Sequence, residues 1–264
     1  MIVWGTKEVK KNLGFVAEFC PICREIEQFK VTRLCHANHI YFISLGSGQI
    51  VGFPSRCQSC GLTLNLDAVS YPELSKRGYP NIQAAIRESH PDILDKYAVR
   101  LELEEKIKRK QVLSTEERTT LLNEPFQLYA NFIEARYSKG TPLDRESGLG
   151  CLATILVPAS LLFLPLFLLN DALMENVFIP AAWVGGSICL SLSFYFFITV
   201  HKRYIKREVL PMLAKSLKSL NPTPSELEEI ISRYKTAGLK LGKTLKAQQI
   251  LDEIQSNATF GKSF

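Results

Sequence analysis

The chain has 264 residues, 46% hydrophobic and 22% charged, with 32 Lys and Arg against 26 Asp and Glu for a net charge of +6. That apolar content excludes a disordered chain, and 13 Pro with 15 Gly exclude collagen-like or low-complexity sequence. Seven Cys is an odd count, which excludes a disulfide framework with every cysteine paired.

Residues 1–20 do not read as a secretory signal, because Lys7, Lys10 and Lys11 interrupt any apolar stretch and no cleavage pattern follows. Cys20-Pro21-Ile22-Cys23 comes next, and Cys57-Gln58-Ser59-Cys60 stands further along. Two-residue spacing lets both sulfurs of a tight turn face one ion. Two such turns complete a tetrahedral site of four thiolates, with Zn–S of about 2.3 Å. Gly61 suits a sharp exit from the second turn. Cys20, Cys23, Cys57 and Cys60 are therefore the candidate ligands of a zinc ion, Zn(2+). Four sulfurs close the coordination shell and leave no place for a catalytic water, so the site reads as structural.

Between the pairs, Glu27 to Leu34 alternates polar residues with Phe29 and Val31, and His39 to Leu45 carries a stronger strand pattern. Gly46-Ser47-Gly48 predicts a turn and Gln49 to Phe53 a third short strand. Antiparallel strands joining two Cys turns make a zinc ribbon. A domain of about 60 residues has little core, so the ion would supply much of its folding free energy. Two alternatives stay open. One Cys pair can serve thiol redox chemistry, although the βαβ context of a thioredoxin-like motif is missing. Cys35, His36 and His39 form Cys-His-x-x-His and are either rival ligands or a packed cysteine with two strand-connection histidines.

Val3-Trp4-Gly5-Thr6-Lys7, Leu13-Gly14, Phe19-Cys20-Pro21-Ile22-Cys23 and Cys57-Gln58-Ser59-Cys60 together resemble a family of bacterial zinc-ribbon proteins of unknown function. Several members of that family carry a Trp-Gly segment before the first Cys pair and transmembrane helices downstream. The resemblance covers residues 1–65. It implies a zinc ribbon with Cys20, Cys23, Cys57 and Cys60 as ligands, and it implies no reaction. Arg24 stands where a Gly often follows the first turn.

Pro80 to His90 and Pro91 to Gln111 predict helices, each opened near a proline. Ser114-Thr115-Glu116-Glu117 fits a capping box, and the helix it starts runs to about Ser138, with Pro125 expected to kink or split it. Its apolar side reads as a core face, with a partner groove as the alternative. Lys139 to Gly148 then reads as a linker.

Leu149 to Leu169 is 21 residues without a charge, and Val177 to Val200 is 24. At about 1.5 Å per residue, each spans a hydrocarbon core of about 30 Å. The short link between them, with Asp171 and Glu175 and no Lys or Arg, predicts an antiparallel transmembrane hairpin. Buried core helices of a soluble domain are the alternative. Arg136, Lys139 and Arg145 flank one side, and Lys202, Arg203, Lys206, Arg207 and Lys215 the other, so both termini are expected in the cytoplasm. There, thiols stay reduced, which favours metal over disulfide. Ala181 and Ala182 precede Gly185 and Gly186 at four-residue spacing, a pattern for close helix packing within the hairpin or in a dimer.

After the second span, apolar residues from Tyr204 to Leu220 recur at helical spacing among basic ones, interrupted at Pro211. Ser225-Glu226-Leu227-Glu228 starts a capped helix ending near Gly238, and Leu241 to Gln255 predicts the last helix. Gly238 to Thr244 imitates a phosphate loop but has three residues between its glycines where four are needed.

The sequence thus predicts an α+β chain: a small antiparallel-β zinc ribbon (1–70), a cytoplasmic helical region (71–147), a two-helix transmembrane hairpin (148–200) and a basic cytoplasmic helical tail (201–264). The expected role is that of an inner-membrane, cytoplasm-facing protein-interaction or scaffold module without catalysis. The alternative is a membrane-tethered thiol redox or metal-handling protein. Expected partners are the lipid bilayer and another protein, with homo-oligomers allowed. A net charge of only +2 over residues 1–70 argues against nucleic acid.

Overall fold

The computed structural model describes residues 4–40, 43–138, 148–149, 152, 156, 159 and 179–260. The chain forms two compact units. One comprises Met1–Pro125, Met212–Pro222 and Ser256–Phe264; the other comprises Phe126–Pro211 and Thr223–Gln255. An antiparallel sheet followed by helices makes the chain α+β.

The first unit is built on a five-stranded sheet. β1 (Trp4–Cys20) and β2 (Glu25–Ile40) pair antiparallel from end to end across the first Cys turn. β3 (Ile43–Gly52) pairs with the outer half of β2, and β4 (Pro54–Cys57) pairs with β2 near its start. β5 (Thr63–Asn65) pairs with β4.

β1 carries no strand signal that the sequence reading recognised. Its first residues are Lys-rich and mostly exposed, and only Val16 to Cys20 is continuously buried. The expected strand from His39 to Leu45 is divided. β2 ends at Ile40, β3 begins at Ile43, and these two residues are cross-strand partners. A run that is strand-forming on both sides of a reversal gives no period change to mark it. The expected turn at Gly46-Ser47-Gly48 lies inside β3, opposite a register shift between His36 and Asn38. Gly48 has φ +69°, and a Cβ there would sit 2.4 Å from the His36 carbonyl oxygen, so this bulge requires glycine.

Ala17, Tyr79, Ala85 and Ile93 form a buried cluster, with Phe15, Ile26, Ile82 and Tyr97 packed against it. α1 (Ile82–Ser89) is capped by the Asn81 side chain, which accepts from Ala84 N. Ser89 Oγ ties it to the sheet by accepting from Ala17 N at 2.8 Å. The expected helix from Pro91 to Gln111 is two, α2 (Ile93–Lys96) and α3 (Ala98–Lys108). They part at Tyr97, whose ring stacks on Phe19 with centroids 5.3 Å apart. α4 (Thr115–Ser138) starts in the expected capping box and passes through Pro125 as one helix.

In the second unit, the later part of α4 packs against α7 (Pro224–Thr236), with the Phe126 and Tyr234 ring centroids 6.1 Å apart. Before it in the chain come α5 (Ile179–Tyr204), a π-helical turn at Ile205–Val209 and α6 (Leu210–Leu217). α8 (Lys240–Thr244) and α9 (Ala247–Phe260) follow where one helix from Leu241 was expected. Lys240 N donates to Glu134 Oε1 at 2.9 Å, and the Gly238–Thr244 stretch follows a helix and itself contains α8, with no strand before it. The structure corrects the start of α7. Its N-cap is Thr223, two residues before Ser225, with Pro224 at the first helical position.

The expected interruption at Pro211 does not occur. Proline lacks an N–H and crowds the carbonyl four residues back. The helix absorbs this in the π-helical turn, where Leu210 N donates to Ile205 O. Trp183–Leu220 is consequently one 38-residue helix, long and apolar enough to cross a membrane, with only 6% of its apolar window buried. It is the one such helix among the described residues. The second expected span falls on it. The first expected span, Leu149 to Leu169, and the link after it lie almost wholly outside the described residues.

Candidate metal centre

Strand order places both Cys turns at one end of the sheet. Cys20 ends β1 opposite Glu25 of β2, and Cys57 ends β4 opposite Phe29 of β2. Each turn is closed by its own backbone: Arg24 N donates to Cys20 O at 2.7 Å, and Gly61 N donates to Cys57 O at 3.0 Å. Amides also point at sulfur, Cys23 N at Cys20 Sγ (3.4 Å) and Leu62 N at Cys60 Sγ (3.5 Å).

The four sulfurs of Cys20, Cys23, Cys57 and Cys60 all lie within 4.8 Å of one another. Contacts cross from turn to turn, with Cys20 Sγ 3.5 Å from Cys60 Sγ and Cys23 Sγ 4.0 Å from Cys57 Sγ. Zn–S bonds of about 2.3 Å at tetrahedral angles set sulfurs about 3.8 Å apart, between these two values. A disulfide would need about 2.05 Å, and all four cysteines are free. The donor set and its size therefore fit a tetrahedral metal ion. Among the described residues these four are the one cluster of potential metal ligands. Cys35 is buried in β2 away from it, and His36 faces Glu8, with Nε2 3.8 Å from Oε1.

Crowding divides the acidity of the four thiols. The hydrogen bond with Cys20 leads in pulling Cys57 well below the usual thiol range and Cys23 to about 6. Cys20 is pushed up, first by its contact with Cys23. At Cys60 the contact with Cys20 pulls down, but those with Cys23 and Cys57, joined by burial, push harder and raise it. Thiolate is the form that binds metal.

Cations surround the sulfurs. Lys215 Nζ lies 3.7 Å from Cys23 Sγ. Lys30 and Arg56, cross-strand partners on β2 and β4, line a concavity of about 500 Å³ together with Cys57 and Cys60. Four thiolates around a divalent ion carry two net negative charges, which neighbouring cations offset.

Sequence reading missed what supports the first turn. Arg24 is only 6% exposed and has φ 63°, a left-handed conformation that costs a residue with a Cβ about 1–2 kcal/mol. Its Nε donates to Glu104 Oε2 at 2.8 Å, and its Nη1 donates to Ser216 O at 3.2 Å. The only sequence signal was an arginine where glycine is usual.

This geometry defines a four-cysteine cluster of the zinc-ribbon kind, without showing which metal it takes. No family model, curated protein or solved structure matches the chain. The resemblance to bacterial zinc-ribbon proteins therefore rests on its local motifs, and of these the cysteine cluster is the part seen in the structure.

Proposed function

We propose that this chain is a membrane-anchored zinc-ribbon protein whose cytoplasmic part serves as a protein-interaction or scaffold module. The observation that carries the reading is the convergence of Cys20, Cys23, Cys57 and Cys60 within 4.8 Å. Zinc suits four thiolates in a tetrahedral shell, and a closed shell supports structure rather than catalysis. The reading therefore includes no reaction. The ion fixes two turns that hold one end of the sheet, which leaves the strands and helices as contact surfaces for another protein.

Anchoring is supported by the exposed apolar helix from Trp183, whose large side chains (Trp183, Phe194 and Ile198 among them) lie open on its surface. With the uncharged run at Leu149 to Leu169 as a second span, the basic flanks put both termini in the cytoplasm of an inner membrane.

Metal analysis of the purified chain tests the site. The expected result is about one zinc per chain, lost in Cys57→Ser/Cys60→Ser. Undiminished zinc in that double variant rejects the ligand set. A reversible disulfide and no metal would favour the thiol redox alternative. Reporter fusions at each terminus test the topology, and an external N-terminus overturns it.

A further inference from the structure

The first Cys turn is also the seat of another segment of its own unit. Ser216 Oγ donates to Pro21 O at 3.2 Å, Arg24 Nη1 donates to Ser216 O at 3.2 Å, and Lys215 Nζ approaches Cys23 Sγ at 3.7 Å. Pro21, Cys23 and Arg24 thus each hold the chain near residue 216. The Arg24–Ser216 contact is buried and the Lys215–Cys23 contact lies at the surface, with Leu213 and Leu217 fully buried beside them and Ser216 1% exposed. Arg24 makes the arrangement more than incidental. A glycine would serve the left-handed position without strain. Arginine there is explained by its guanidinium, which bridges Glu104 and the Ser216 carbonyl.

We propose that the Cys20–Arg24 turn is a metal-dependent catch for Met212–Leu220, the far end of the helix that runs through Trp183. The inference rests on the zinc reading of the four cysteines. Bound metal fixes Cys20 and Cys23 on one centre, and with them the Pro21 carbonyl and the direction in which Arg24 leaves the turn. Once the metal is removed, the turn keeps the bonds from Arg24 N to Cys20 O and from Cys23 N to Cys20 Sγ and loses the link between its two sulfurs. Ser216 and Lys215 then lose a rigid platform. Metal occupancy is thereby reported to the helix as a change in how firmly residues 212–220 are held.

Hydrogen–deuterium exchange on the full chain in detergent tests this, with zinc content measured on the same samples. Amides of Leu213 to Leu220 are expected to exchange at least about tenfold faster after chelation. Arg24→Gly, which the backbone at φ 63° accepts, should keep one zinc and a protected β1–β2 pair while showing the same faster exchange. Two results would overturn the catch and leave the zinc reading standing. One is wild-type protection of these amides in zinc-loaded Arg24→Gly; the other is unchanged protection after chelation has removed the zinc. Absence of zinc from the wild-type chain defeats both the reading and the catch.

Discussion

Gln28 binds Tyr79 through both halves of its side-chain amide: Nε2 donates to Tyr79 O at 2.9 Å, and Oε1 accepts from Tyr79 N at 3.1 Å. A side chain of β2 thereby imitates a strand partner for a backbone 51 residues away, just before α1. Gln28→Leu would leave the N–H and C=O of a nearly buried residue without their partners. The expected cost is about 1–3 kcal/mol, read as a lower denaturant midpoint at unchanged zinc content. An unchanged midpoint would show that water replaces both bonds.

Glu104 sits between two guanidinium groups, 2.8 Å from Arg24 and 2.9 Å from Arg100. Glu104→Ala strands a buried Arg24, an arrangement that costs about 3–5 kcal/mol. Arg24→Gly should cost less. Glu104 keeps Arg100, and glycine recovers about 1–2 kcal/mol of left-handed backbone strain. Thermal melts of both variants check the order, and a larger loss for Arg24→Gly would contradict it.

The start of α4 should be sensitive to acid. Ser114 N donates to Glu117 Oε2 at 2.8 Å, and Lys106 Nζ lies 3.2 Å from Oε1. The backbone bond first, then Lys106, holds this carboxyl below its usual 4.5. Since the folded value is the lower one, the stabilisation is complete above about pH 4.5 and fades as the pH falls through the folded value. The difference in melting temperature between wild type and Glu117→Gln should therefore be constant near neutrality and shrink at acid pH. A difference that grows on acidification would refute the assignment.

Thr223 and Glu226 form a reciprocal capping box at the start of α7. Thr223→Ala is expected to cost about 1 kcal/mol, whereas Ser225→Ala, inside the helix, should be close to neutral. Equal losses in the two would move the cap back to Ser225.

The cysteine cluster was legible because its information is local: two-residue spacing sets a turn, and two turns make a site. Capping boxes were legible for the same reason, with Ser114 placed correctly and Thr223 missed because Pro224 separates it from the acidic run. β1 was not, since Lys7, Lys10 and Lys11 belong to an exposed arm with no buried face to impose alternation. The division of the Pro91–Gln111 helix at Tyr97 depends on a ring meeting Phe19 from another element, which no window of sequence contains. The roles of Arg24 and Ser216 were equally hidden, being set by contacts 192 residues apart.

Ile205, Val209, Leu213 and Leu217 are all fully buried, at intervals of four. Such steps overshoot an ordinary 3.6-residue turn by about 40° each, so this line would spiral a third of the way round the cylinder. The widened turn from Ile205 to Leu210 takes in an extra residue and winds the line back. Pro211 stands directly after this widened turn, and replacing it with a residue that restores regular winding would remove the extra residue from the Ile205–Leu210 turn.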